Sequence, residues 1–143
     1  MKKSRDIIDI GLLILRVGIG IMFILHGYPK IIGGPEKWFS LGEKAMTALS
    51  IGFGFTFFGF MAALSEFLGG ILLILGLATR YASGFLLFTM FVAASLHLAS
   101  GDGIMSASHA IESGVVFLSL IFFGSGKFSL DHYICDKYCS TKK

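Results

Sequence analysis

Four stretches of the chain are apolar over close to the length, about 20 residues, that a helix needs to cross a bilayer: approximately Ile8–Leu25, Phe55–Leu77, Tyr81–Leu98 and Ser108–Phe123. All are rich in Leu, Ile, Phe and Gly. In hydrocarbon no water satisfies backbone N–H and C=O groups, so such runs fold as helices. The connection between the first two runs is different in kind. Gly33-Gly34-Pro35 breaks the first helix, and Glu36–Leu49 then mixes Glu36, Lys37, Glu43 and Lys44 with Trp38, Phe39, Leu41, Met46 and Leu49. That pattern predicts an amphipathic segment at the membrane interface between spans one and two, with Trp38 as its headgroup-level anchor. A lid over a site between the spans is the alternative. The expected fold class is an all-α integral membrane protein, a four-transmembrane-helix bundle forming a single membrane domain over residues 1–143.

Composition narrows the function classes. The 143 residues are 55% hydrophobic and only 15% charged, with a mean hydropathy of +0.80. A soluble domain carries about 25% charged residues. Disorder, a coiled coil and nucleic-acid binding all need far more charge and are excluded. The net charge of +3 comes from basic residues placed mostly in end segments, where lipid headgroups are the natural partners. Met1-Lys2-Lys3-Ser4-Arg5 resembles the start of a signal peptide, but the apolar run continues into His26-Gly27-Tyr28-Pro29-Lys30 without a small-x-small cleavage site, so a retained first span is expected. Outside the spans, Lys and Arg divide eight (Lys2, Lys3, Arg5, Arg80, Lys127, Lys137, Lys142, Lys143) against three (Lys30, Lys37, Lys44). The positive-inside rule then predicts both termini, and a short tail over 124–143, on the cytoplasmic side.

Two charges fall deep inside the spans. Arg16 and Glu66 each lie near the centre of an apolar run, where an ionised side chain costs about 2.5–3.5 kcal/mol and usually faces the bundle and pairs. Opposite sign and matching depth predict an Arg16–Glu66 ion pair, either a structural clamp or a catalytic, proton-handling pair. Arg16, Gly20, Phe23, Gly27 and Lys30 share one helical stripe. The Glu66 face carries Gly59, Ala62, Ala63, Gly69 and Gly70, residues that let helices approach closely in lipid or leave room for a flat ligand.

A second polar group gathers at the opposite membrane face. His26 ends span one, His97 ends span three, His109 and Glu112 open span four, and Asp102 lies in the link between the last two. These residues suit a proton-exchanging ligand pocket or a metal site, and equally suit side chains that merely reach water or cap helices. The histidines are dispersed singly, without H-E-x-x-H spacing, so no metal ligand set is assigned. His26 is the leading candidate because His-Gly-x-x-Lys leaves a polar turn where a ligand can enter. In the tail, Cys135 and Cys139 share a face if the segment is helical. A redox or metal pair, acylation and inert thiols are all open, the last foremost, since zinc-site spacing is absent.

Leu15-Arg16 with Gly20, Phe23 and His26-Gly27-x-x-Lys30 resembles the opening of DoxX family membrane proteins. Glu66-x-x-Gly69-Gly70 running into Leu75-Gly76-Leu77-Ala78-Thr79-Arg80 is similar to that family's second span. Met90-x-x-Ala93-x-x-x-His97, Glu112 and Gly124-x-Gly126-x-x-Ser129-Leu130-Asp131 fit its remainder. The resemblance covers roughly Leu12 to Asp131 and leaves the Cys135/Cys139 tail outside it. It implies a four-helix membrane fold and a link to redox physiology, through an association with thiosulfate:quinone oxidoreductase and with soluble redox proteins that counter oxidative or thiol stress.

The expected function is therefore an inner-membrane, quinone-linked oxidoreductase or the membrane subunit of a redox complex. A quinone headgroup would bind near His26, Lys30, His97 and Glu112, with His26, Glu66 and Arg16 as catalytic candidates. The alternative is a non-enzymatic scaffold or assembly factor that docks a soluble redox partner. A small-molecule transporter ranks third, since no inverted repeat is visible, though a homo-oligomer would supply more spans.

Overall fold

The computed structural model describes residues 2–139, with side chains from 5 to 137. Lys142 and Lys143 and the side chains of Lys2, Lys3 and Cys139 lie outside the described residues. The chain forms α1 (Lys2–Ile31), α2 (Gly34–Ala48), α3 (Phe55–Leu75), α4 (Thr79–Ala99), α5 (Ile104–Phe123) and α6 (Leu130–Cys139). Four helices are long and apolar enough to cross a bilayer: residues Arg5–Ile31 of α1, and α3, α4 and α5 whole.

Four helices stand where the four spans are expected, with revised ends. The first continues past Leu25 to Ile31 and the fourth begins at Ile104, not Ser108. In the first case polar residues hid the helix: His26, Tyr28, Pro29 and Lys30 read as an exit from the membrane, yet a proline near the last turn leaves the helix intact up to it. The second span ends at Leu75 because Gly76 takes a left-handed backbone (φ 64°). This closes the helix with Gly76 N–H to Leu73 O (3.1 Å) and Leu77 N–H to Leu72 O (3.0 Å).

α1 packs along α3, α4 along α5, and α2 against α3. Glycines set the closest approaches. A Cβ on Gly27 would lie 2.5 Å from the backbone nitrogen of Phe67, and Cβ atoms on Gly20 and Gly70 would each lie 2.7 Å from the other's carbonyl oxygen. These small residues are thus occupied in helix contact, the role their kind usually plays in lipid. The core joins Phe23, Leu73, Leu86, Met90, Phe117 and Leu120, with the Phe23 and Phe117 rings edge-to-face at 4.8 Å. Large apolar side chains such as Ile14, Phe85, Phe88 and Phe122 point outward, as expected of helices solvated by lipid.

The predicted amphipathic segment is α2. Gly42 abuts the carbonyl of Phe55, and Gly59 abuts that of Trp38, so α2 and α3 touch backbone to backbone. Trp38 is half-buried: its indole N–H donates to Lys30 O at 2.9 Å and its ring packs on Phe60 at 4.8 Å. The segments near both ends of the chain meet at one end of the bundle, where Lys127 N–H donates to Asp9 (3.0 Å) and Lys127 Nζ lies 3.6 Å from Asp6.

Candidate functional site

The glycine contacts fix the register of α1 on α3 and decide which charges meet. Gly27 lies against Phe67, so Glu66 sits near the Gly27 level. Arg16 is eleven residues earlier in the sequence, about 16 Å further along the helix. Helical side chains also lean toward their own N-terminus, which carries Arg16 away from Glu66 and brings Lys30 back toward it. The expected Arg16–Glu66 ion pair is accordingly not formed. Lys30 Nζ instead donates to both carboxylate oxygens of Glu66, at 2.7 and 2.5 Å. The Glu66 side chain is 4% exposed and that of Lys30 28%.

Arg16 is fully buried and serves the other end of the bundle. Its Nη1 donates to Leu73 O at 3.0 Å and its Nη2 to Phe128 O at 2.6 Å. Leu73 is in the last turn of α3, and Phe128 is in the segment joining α5 to α6, so the guanidinium ties three parts of the chain together. Asp131 completes this end. Its carboxylate accepts Ala78 N–H (2.7 Å) and Thr79 N–H (3.0 Å), capping α4, while its own N–H donates to Gly76 O (2.9 Å). In the sequence Asp131 belongs to the stretch that resembles the family, with no task visible there. Its position directly after a glycine-rich helix stop is compatible with capping, yet nothing in the sequence names α4 as the helix it caps.

At the opposite end a cavity of about 130 Å³ opens between the helices. Lys30 and Glu66 line it, together with His26, His97 and His109, and Phe23, Met90, Ala93 and Ala110 supply apolar wall. Of the predicted site residues, the fold thus brings together His26, Lys30, Glu66 and His97. Glu112 is exposed and not among the lining residues, and Arg16 is absent from it as well. Ser106, Phe23 and Met90 were not singled out as ligand-contacting residues, because each is unremarkable alone and becomes lining only through the packing of α4 and α5 on α1.

The hydrogen bonds constrain the imidazoles. His26 Nδ1 lies 3.0 Å from Met22 O. A carbonyl only accepts, so Nδ1 carries the proton and neutral His26 keeps its lone pair on Nε2. His97 Nδ1 lies 3.0 Å from Asp102 Oδ2, which places its proton in the same way. The rings of His26 and His109 lie 5.5 Å apart and nearly parallel. An ammonium has three N–H donors, two of which Lys30 gives to Glu66, leaving one for a ligand. The site therefore combines a cationic donor with imidazole acceptors beside an apolar wall. Among the described residues no group of three His, Cys, Asp or Glu is arranged to hold a metal ion. Cys135 is exposed on α6, far in sequence from all of this.

Comparison with known proteins agrees with the fold. Inner membrane protein YqjF of Escherichia coli (strain K12) is 30% identical over 145 residues, spanning 96% of this chain and all of that protein. No solved structure matches. The DoxX family model matches residues 11–99, which include Arg16, His26, Lys30, Glu66 and His97. A multi-pass membrane protein with these helices and this match belongs to the DoxX family.

Proposed function

We propose that the cavity beside the Lys30–Glu66 pair binds a quinone headgroup, and that the chain is a quinone-linked redox protein or the membrane subunit of one. The observation that carries this reading is the convergence of His26, His97, Lys30 and Glu66 on one cavity with an apolar wall. Its 130 Å³ is close to the ~150 Å³ of an engineered cavity that admits benzene, so it suits one six-membered ring. Interconversion of a quinone and its quinol moves two electrons and two protons. Lys30 has one N–H for a ring oxygen, while on quinol oxidation the Nε2 lone pairs of His26 and His97 each accept one hydroxyl proton. Glu66 holds the Lys30 ammonium in place. The electrons pass to or from a soluble redox partner, in keeping with the family's redox associations.

YqjF is named an inner membrane protein, and we assign this chain to the same kind of membrane. With Lys30 paired inside the bundle, Lys and Arg outside the spans divide eight to two, which supports termini on the cytoplasmic side and the cavity on the far side.

A scaffold that docks a redox partner is the second reading. The use of Arg16 and Asp131 as helix braces favours it, since buried polarity there serves assembly. The discriminating experiment titrates detergent-purified protein with ubiquinol and menaquinol analogues and follows absorption and turnover. Saturable binding that is lost in His26→Ala at unchanged melting temperature supports the quinone site. Absence of binding and of a redox-dependent spectrum in wild type overturns it and leaves the scaffold.

A further inference from the structure

We propose that α6 is a second membrane contact, lying in the headgroup region on the side where the segments near both chain ends meet and preferring anionic phospholipid. Its depth is set by hydrogen bonds. Asp131, in the first turn of α6, bonds Gly76 O and the N–H groups of Ala78 and Thr79. Those residues form the turn between Leu75, the end of one crossing helix, and Thr79, the start of the next. The turn marks the edge of the hydrocarbon, so α6 starts at that edge. The preceding segment is pinned at the same level through Lys127 to Asp9 and through Phe128 O to Arg16.

The sequence of α6 suits that depth. Leu130, Tyr133 and Ile134 follow i, i+3, i+4 spacing and share one face. They are 40%, 63% and 43% exposed, so the described residues leave much of this face uncovered. His132 and Asp136 lie on the opposite side. The apolar face continues a lipid-facing surface: Phe122 and Phe123, at the end of α5, are 75% and 68% exposed, and Phe128 is exposed between them and α6. Tyrosine is enriched at membrane interfaces. Lys127 pairs with Asp6 and the Asp131 carboxylate caps α4, and the rest of 127–143 carries Lys137, Lys142 and Lys143 against Asp136, which matches an anionic surface in sign. Continuity with the lipid-exposed helices favours a bilayer over a soluble partner.

The test measures amide deuterium exchange of residues 130–139 in the full-length protein. It is carried in bilayer discs of phosphatidylcholine alone, or of phosphatidylcholine mixed with phosphatidylglycerol. A helix shorter than about 12 residues is marginal in water without a surface. The expected result is exchange at least about tenfold slower than in the isolated peptide, slowed further by phosphatidylglycerol and partly restored by high salt. Ile134→Asp should remove the protection while exchange in α3 and α4 stays unchanged, which shows that the bundle is intact. Exchange at the free-peptide rate in both bilayers overturns the proposal. Protection that ignores lipid charge and survives Ile134→Asp also overturns it, because it marks a protein cover.

Discussion

Lys30 and Glu66 form a two-oxygen ion pair between α1 and α3, with Nζ 2.7 and 2.5 Å from the carboxylate oxygens. Each charge answers the other inside the bundle, so removing one strands its partner. Breaking a fully buried pair costs about 3–5 kcal/mol. The 28% exposure of Lys30 lets its ammonium reach water and lowers the expected loss to roughly 1–3 kcal/mol. Lys30→Met and Glu66→Met should each lower the melting temperature, and the double variant should recover much of the loss. A double variant as unstable as the sum of the singles would show that the two residues act independently.

Arg16 offers a different test because both of its partners are carbonyls. A lysine keeps the charge but cannot span Leu73 O and Phe128 O together. A hydrogen bond to a charged group contributes about 1.5–3 kcal/mol, so Arg16→Lys should cost roughly 2 kcal/mol. Deuterium exchange should rise in residues 124–131 and in the last turn of α3. Under the proposed function, quinol binding at the distant cavity should be retained, which separates bracing from ligand binding.

Glycines within the helices include two classes that substitution should tell apart. Gly27→Ala and Gly70→Ala drive a methyl into neighbouring backbone and should destabilise the α1–α3 contact. Gly11 and Gly18, on the same helix, have open space where a Cβ would go. Alanine there should be neutral or stabilising by up to about 1 kcal/mol, the helix-propensity difference. Melting curves of the four variants should show the two classes well separated.

Asp131 uses both carboxylate oxygens, one on Ala78 N–H and one on Thr79 N–H. Loss of such a cap costs about 0.5–2 kcal/mol. Asp131→Ala should show that loss in full, while Asp131→Asn, with one acceptor oxygen, should fall between it and wild type. Equal stability of the alanine variant and wild type would remove Asp131 from the bracing role.

Much of this arrangement was legible in the residues. The stripe of Arg16, Gly20, Phe23, Gly27 and Lys30 faces inward as its period implied, with Arg16 and Phe23 buried and Gly20 and Gly27 against α3. His26 and His97 meet at one cavity because alternate helix ends must reach the same face. Partner choice was not legible. Matching Arg16 to Glu66 by depth assumed that spans one and two sit centre to centre, whereas the Gly20–Gly70 and Gly27–Phe67 contacts fix a register that puts Gly27, not Arg16, at the Glu66 level. Lys30, counted as an aqueous residue, became the partner because it follows the Gly27 contact by less than one turn and leans back into the bundle. Backbone acceptors were invisible for a simpler reason: every residue has a carbonyl, so no side-chain pattern distinguishes Leu73 or Phe128 as the one a guanidinium will choose.

The Arg16–Phe128 bond, which spans 112 positions, also bears on how the protein is made. Arg16 enters the membrane with the first helix, while the carbonyl that completes its coordination is synthesised only after the fourth has followed. Until then the guanidinium lacks its second acceptor. Chains truncated just after Phe123 and released from the ribosome should therefore hold four inserted helices in a looser, protease-sensitive bundle, and a few more residues should tighten it. The segment that trails the last helix acts as the closing step of assembly.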